Sequence, residues 1–261
     1  MPENAPVVNV LLTSWWMPVA LAPVIGSFLG VLVLRLPQDE SVVWGGSRCP
    51  HCRRRLKAVD LVPVVSWLVA RGRCRYCSAR LSLFYPAIEI AAIVVALWAA
   101  AVVPAGGMLW ATCVLGWILL ALAILDWRCL ILPDSLTLPL LALGLLVAGL
   151  GGGAIADHGV GAAAGIGSFL LIALVYRWAR GREGLGIGDA KLFGAGGAWV
   201  SWVGLPGVVL WAATAALIAI LLKMAAGRAV SATDRIPFGT FLCLGIWLVW
   251  LYGPVVVASS A

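Results

Sequence analysis

Gly107-Met-Leu-Trp-Ala-Thr-Cys-Val-Leu-Gly-Trp-Ile-Leu-Leu-Ala-Leu-Ala-Ile-Leu-Asp126 runs for nineteen residues without a charge and ends on a carboxylate. As a helix, nineteen residues span roughly 28 Å, about the thickness of a bilayer's hydrocarbon core. The stretch reads as a transmembrane helix with an ionisable group at its end. A carboxylate at membrane depth is costly, and by default it marks a functional site.

Similar runs recur on both sides of this one. The sequence predicts eight spans, at about 14–34, 84–103, 107–126, 135–153, 160–177, 189–203, 204–223 and 238–257. Gly204, Pro206 and Gly207 supply the only break between the sixth and seventh. The chain is 63% hydrophobic and 11% charged, against about 25% charged for a soluble domain. It has too few charges to cover a water-facing surface. The N-terminus lacks a basic n-region and a small-residue cleavage site ahead of Pro23, so the first helix is expected to be retained.

Lys and Arg set the orientation, because cytoplasmic loops keep them. Residues 35–80 carry ten of the 18 basic side chains against three acidic ones. Arg128, then Arg177, Arg180 and Arg182, then Lys223, Arg228 and Arg235 follow at every second boundary, while 104–106, 154–159 and 204–207 carry none. Eight spans with both termini outside satisfy every loop. The net charge of +7 is thus mostly a topology signal. A nucleic-acid partner would want a basic face on a soluble module, and none is expected. The 14 Trp, among them Trp15, Trp16, Trp110, Trp199, Trp202 and Trp250, suit interfacial belts.

The expected fold is therefore an all-α integral membrane protein of about eight helices, with a small cytoplasmic domain between helices 1 and 2. Three parts follow: 1–35 with the first helix, 36–83 as the cytoplasmic domain, and 84–261 as the membrane-embedded remainder.

The cytoplasmic loop carries a metal signature. Cys49-Pro-His-Cys52 is followed after 21 residues by Cys74-Arg-Tyr-Cys77. Two such knuckles supply four thiolates, the closed tetrahedral shell of structural zinc. The competing readings are a disulfide pair or four unremarkable cysteines, and a reducing compartment argues against the first. Arg48, Arg53, Arg54, Arg55, Arg73 and Arg75 crowd the knuckles and would favour deprotonated thiols. His51 could replace one cysteine, but four already complete the shell. A metal staple is what so small a loop needs in order to fold. Cys113, Cys129 and Cys243, in or beside apolar helices, are expected to be small core residues.

Four carboxylates beside apolar runs need an explanation: Glu89, Asp126, Asp134 and Asp189. Asp189 stands in Glu183-Gly-Leu-Gly-Ile-Gly-Asp189-Ala-Lys191, at the same face as Asp126 by the topology above. Two close carboxylates share a proton, so one can activate a water while the other protonates a carbonyl oxygen or a leaving amine. Gly184, Gly186 and Gly188 predict an extended or irregular segment whose missing side chains admit another backbone, such as a substrate strand. The bland alternatives differ by residue. Asp134 follows Pro133 and would cap the fourth helix. Asp126 would pair with Arg128 or mark a helix end. Glu89, in the first turn of its span, would suit the helix dipole. Lys191 would snorkel to the surface or pair with Glu183.

These residues resemble the type IV prepilin peptidases, the leader peptidases of type IV pilus and type II secretion systems. The resemblance covers nearly the whole chain. Gly26-Ser-Phe-Leu and Arg35-Leu-Pro37 look like the family's first helix. Ser47-Arg-Cys-Pro-x-Cys52, Ser66-Trp-Leu, Arg71-Gly-x-Cys74-x-x-Cys77 and Tyr85-Pro-x-x-Glu89 look like its cytoplasmic domain. Asp126 with Leu132-Pro-Asp-x-Leu-Thr-Leu-Pro139, Glu183-Gly-x-Gly-x-Gly-Asp189-x-Lys-Leu192 and Ile236-Pro-Phe-Gly239 look like its catalytic half. Where the family commonly has Asn after Gly-Ser-Phe-Leu, this chain has Gly30.

The resemblance implies an aspartyl endopeptidase of the Gly-x-Gly-Asp type in the bacterial inner membrane, with its site facing the cytoplasm. It would remove the basic leader of prepilins or pseudopilins. The resemblance, more than the chemistry, selects Asp126 over Asp134 as the first catalytic aspartate, with Asp189 as the second. It also implies N-methylation of the new terminus with S-adenosylmethionine, an activity tied to the cytoplasmic domain and to the position of Gly72. A transporter or receptor relaying protons is the rival from another class, but no internal repeat supports it and the acids sit off the midplane. An intramembrane protease acting on whole transmembrane helices is the rival within peptidases. The cysteine loop and the Leu-Pro-Asp block favour the prepilin type.

Overall fold

The computed structural model describes residues 13–41, 47–152, 154–181, 186–227 and 236–254. Its helices are α1 (Trp16–Arg35), α2 (Val65–Val69), α3 (Phe84–Val102), α4 (Gly107–Cys129), α5 (Asp134–Leu150), α6 (Ile155–Arg180), α7 (Ile187–Ala225) and α8 (Phe238–Tyr252), with 3₁₀ turns at Leu36–Gln38 and Ala58–Leu61. Among the described residues there is no strand, only two isolated β-bridges, Arg48 with Arg55 and Arg73 with Arg80.

Among the described residues five helices are long and apolar enough to cross a membrane: Trp16–Gln38, α3, α4, α6 and α7. The 17 residues of α5 and the 15 of α8 are also apolar but shorter. They reach roughly 25 and 22 Å, short of a hydrocarbon core of about 30 Å. The expected sixth and seventh spans form the single 39-residue α7, and its break lies at Ser201 (φ 58°, ψ −179°) rather than at Gly204–Gly207. The physical reason is a proline's reach. Pro206 clashes with the carbonyl one turn earlier, that of Trp202, so distortion collects upstream of the ring.

The chain packs as two compact units, Met1–Ala121 and Leu122–Ala261. In the first, α1 lies on α3 at backbone distance. A Cβ at Gly26 would come within 2.6 Å of the Glu89 Cα, and one at Gly30 within 3.2 Å of Ile88 Cγ2. Gly30, the departure from the family's Asn, therefore serves close packing. The Trp117 indole donates to the Ala92 carbonyl at 3.1 Å. Glu89 is the sixth residue of α3, past its first turn, and is buried. It accepts the Val64 N–H at 2.6 Å and a hydrogen bond from Ser27. Its work is thus to clasp the loop between α1 and α3, not to complement the helix dipole. The clasp holds a costly backbone, since β-branched Val64 stands at φ 58°, ψ −50°. Asp60 secures the loop from the other side. Its carboxyl is held below the usual range by the Lys57 N–H and then, against burial, by the Tyr76 hydroxyl and Arg75.

In the second unit, α6 and α7 meet glycine to glycine. A Cβ on Gly161 or Gly197 would strike the other's carbonyl oxygen, and one on Gly165 would lie 2.8 Å from the Phe193 oxygen. Small residues let membrane helices approach this closely. Phe169 stacks on Phe193 at 4.2 Å, and His158 Nδ1 lies 2.9 Å from the Ala198 carbonyl. The Trp199 indole, wholly buried above Gly144, donates to the Leu140 carbonyl at 2.8 Å and ties α5 to α7. On the other flank Gly245 of α8 fits against the Val208 carbonyl.

Candidate functional site

The four expected ligands converge. The Sγ atoms of Cys49, Cys52, Cys74 and Cys77 all lie within 4.8 Å of one another, and Cys49 and Cys77 are 3.9 Å apart. A tetrahedral shell at a Zn–S distance of about 2.3 Å has S···S edges of roughly 3.8 Å, so the set fits zinc. Cys49 and Cys74 are buried, while Cys52 and Cys77 form the exposed rim. The Ala79 amide favours the Cys77 thiolate, but burial and the facing thiols of Cys74, Cys52 and Cys49 outweigh it and push that thiol up to about 11. Four thiolates stand together only around a cation.

The two knuckles repeat one another at an offset of 25 residues. Cys49 N–H bonds to the Arg54 carbonyl, Arg53 N–H to Cys49 and Leu56 N–H to Ser47. Cys74 N–H bonds to Ala79, Ser78 N–H to Cys74 and Leu81 N–H to Gly72. Arg53 and Ser78 both take positive φ, 54° and 58°. The sequence carries the signal in Ser47-Arg-Cys-x-x-Cys-x-x-Arg-Leu56 against Gly72-Arg-Cys-x-x-Cys-x-x-Arg-Leu81, a ten-residue local repeat. Gly72 stands at φ +66°, where a Cβ would come within 2.8 Å of the Trp67 ring.

The aspartates come from α4 and α7. Asp126 is buried one turn before the end of α4, whereas Asp189 is half-buried at the third position of α7. Asp126 lies close enough for its charge to act on Asp189, and both act on the buried thiol of Cys243. Each carboxylate is held by one oxygen. Asp126 Oδ2 accepts the Thr240 N–H at 2.7 Å and has the Thr240 hydroxyl at 3.2 Å, a hydroxyl that also reaches the Ala123 carbonyl at 2.9 Å. Asp189 Oδ2 accepts the Gly186 N–H at 3.2 Å, half of a capping box. Among the described residues no hydrogen bond engages either Oδ1, which leaves both for water or substrate.

The glycine segment differs from the extended run expected. Gly186 is extended (ψ 145°), but α7 starts at Ile187 and Gly188 is helical; Gly184 lies outside the described residues. The missing side chains admit this chain's own atoms. A Cβ on Gly188 would lie 3.0 Å from Leu132 Cβ, and one on Gly186 would lie 3.2 Å from Asp189 Oδ2. Leu132 also sits against Gly239, whose Cβ would come within 3.0 Å of Asp126 Cγ. Three separate stretches thus meet at Leu132.

Asp134 is the first residue of α5 and makes no side-chain cap there. It binds Lys191 through both oxygens, at 2.6 and 2.8 Å, and pins α5 to α7 two residues beyond Asp189. The other partner proposed for Lys191, Glu183, lies outside the described residues. Cys113 and Cys243 are buried as expected, but Cys129 is exposed. Thr240 was missed, because a threonine in an apolar helix gives no sign of its partner 114 residues away.

Residues 20–103 match the bacterial peptidase A24 N-terminal domain, and residues 113–221 match the type IV leader peptidase family. A prepilin leader peptidase/N-methyltransferase of Pectobacterium carotovorum subsp. carotovorum is 36% identical, covering 90% of this chain and 92% of its own length. Proteins of the same name from Aeromonas hydrophila (36%; 88% and 87%) and Burkholderia pseudomallei strain 1026b (38%; 87% and 82%) are similar over comparable lengths. No solved structure matches the chain.

Proposed function

The chain belongs to the type IV leader peptidase family, and on that premise we propose that it removes the basic leader from prepilins or type II secretion pseudopilins, with Asp126 and Asp189 as the catalytic pair. The observation that carries this reading is the placement of two carboxylates in electrostatic range, each anchored by Oδ2 and open at Oδ1. One carboxylate takes the proton of a water as it attacks the scissile carbonyl. The other protonates the carbonyl oxygen, and the proton taken from water then passes from the first carboxyl to the departing amine. Asp126 is fixed by Thr240, which limits the conformations it must give up on reaching the transition state. Gly186 and Gly188 bring the backbone of the α7 start against Asp189 and Leu132.

The same reading assigns N-methylation of the new N-terminal residue, with S-adenosylmethionine as donor and the cytoplasmic domain, including Gly72, as its seat. Cys49, Cys52, Cys74 and Cys77 hold a structural zinc that keeps this domain folded. Counting α7 as two spans about Ser201, together with α5 and α8, gives eight crossings in the inner membrane. Both termini are then outside and the aspartates are at the cytoplasmic edge. The three-part division at 35/36 and 83/84 follows from that topology.

The test is a prepilin incubated with purified Asp126→Asn, Asp189→Asn and Asp134→Asn variants, with leader removal read by mass. The first two should be dead and the third at least partly active. Full cleavage by Asp189→Asn would overturn the mechanism.

A further inference from the structure

The loop between α1 and α3 gathers its apolar surface in one place. Among its described residues, Val59, Leu61, Val62, Val65, Leu68 and Val69 all stand exposed, Val69 by 72%. The two cysteine knuckles, by contrast, expose no large apolar side chain. Val65, Leu68 and Val69 share one face of α2, at i, i+3 and i+4. A contiguous apolar patch outside the spans marks a surface with a partner. We infer that residues 59–69 lie in the bilayer interface, with their apolar side chains among the lipid and the flanking cations at anionic phospholipid headgroups.

The anchoring of the segment sets its depth. The Val64 N–H donates to Glu89 Oε2 at 2.6 Å, and Glu89 also accepts a hydrogen bond from Ser27. Both side chains belong to helices long and apolar enough to cross a membrane. Ser27 stands eight residues before Arg35, the last residue of α1, or about 12 Å along the axis. Glu89 is five residues beyond Phe84, about 7.5 Å into α3. The loop is therefore drawn in past the ends of both spans, to the depth of about 5–10 Å at which interfacial segments lie. Its backbone suits that place. The amides of Ser66, Leu68, Ala70 and Gly72 all donate to carbonyls between Val62 and Trp67, so these donors need no water. Val64 and Arg71 bracket α2 at φ 58° and 50°, strained positions of the kind that collect at working surfaces.

Charge selects the lipid. Lys57, Arg71 and Arg73 flank the apolar run and are exposed. The one acid of the run, Asp60, is engaged by the protein itself. It accepts from the Lys57 N–H and the Tyr76 hydroxyl and pairs with Arg75. Cations beside an apolar face suit an anionic leaflet, where each adds several-fold to binding. A second copy or the apolar helix of a substrate would cover the same face, but neither brings the phosphates that the cations call for.

The experiment places the purified full-length protein in vesicles of phosphatidylglycerol and phosphatidylcholine. A trace of phospholipid carries a diazirine near the head of its acyl chain. Photolysis, digestion and mass spectrometry then locate the lipid adducts. Adducts are expected on the peptide holding residues 59–69 as well as on α1 and α3. Leu68→Glu combined with Val69→Glu should lower the loop adducts at least about tenfold, with α1 and α3 labelled as before and zinc content reporting the fold. Vesicles of phosphatidylcholine alone should lower them about fivefold. A 59–69 peptide without adducts in the wild-type protein, beside labelled α1 and α3, overturns the proposal whatever the variant does. Equal labelling in the two lipid mixtures overturns the role of the cations. Loss of the loop adducts on adding prepilin, or on raising the protein-to-lipid ratio, hands the face to substrate or to a second copy and overturns the occupant.

Discussion

The cysteine knuckles and the aspartate pair solve one problem, that of holding like charges together, by opposite means. In the knuckles the groups that meet lie 28 residues apart at Cys49 and Cys77, and each half closes through backbone hydrogen bonds spanning a few residues. At the aspartates, Asp126 and its donor Thr240 are 114 residues apart, and Leu132 must reach both Gly188 and Gly239. The first site is written in local geometry and needs a cation to finish it. The second is written in the packing of three helices, α4, α7 and α8, around the connecting residue Leu132. One can fail by losing a ligand atom, the other by gaining a methyl group.

That contrast can be broken experimentally. Asparagine at Asp126 or Asp189 should cost about a thousandfold or more in cleavage rate while leaving bound zinc unchanged, measured by metal analysis beside the peptidase assay. Loss of zinc in those variants would mean that the two sites do not fold independently. Next in size is Gly239→Ala. Its Cβ would press on Asp126 from 3.0 Å, and misplacement of a reacting group by about an ångström costs on the order of a hundredfold. The loss should fall on kcat rather than KM.

Cys49→Ser or Cys74→Ser should release the metal and expose the loop to protease. Zinc supplies on the order of 10 kcal/mol or more to such modules. Cleavage should decline less than in Gly239→Ala, roughly tenfold, since no aspartate moves directly. The exposed Cys52 and Cys77 should be the more forgiving pair. Smallest is Asp134→Asn, which breaks a largely exposed ion pair with Lys191. Such pairs are worth about 1 kcal/mol or less, so thermal stability should shift slightly and cleavage stay within a few fold. A dead Asp134→Asn enzyme with normal stability would promote Asp134 to the catalytic group.

The same contrast explains what could be read in advance. Cys49, Cys52, Cys74 and Cys77 were legible because knuckle spacing is a local property. The membrane class was legible because apolar length is additive along the chain. Asp126 and Asp189 stood out as acids at span ends, yet their company did not. Thr240, the Leu132 hub and the Asp134–Lys191 pair are set by tertiary contact and leave no periodic trace. Glu89 misled for a similar reason. Its position near a helix start suggested a dipole role, whereas its partner, the Val64 amide, lies 25 residues earlier in a strained loop. The break in α7 was displaced to Ser201 because a proline's clash acts one turn upstream of its own position.

The glycine contacts between α6 and α7 also bear on how the gene can vary. Gly161, Gly165, Gly194 and Gly197 each face atoms that a Cβ would overlap. No amino acid is smaller than glycine, so every missense change at those four codons is an enlargement. A core leucine has conservative neighbours to drift toward; these positions have none. The seam that carries Asp189 is therefore open to variation only through compensating changes on the facing helix, and lineages should alter it in pairs or leave it alone.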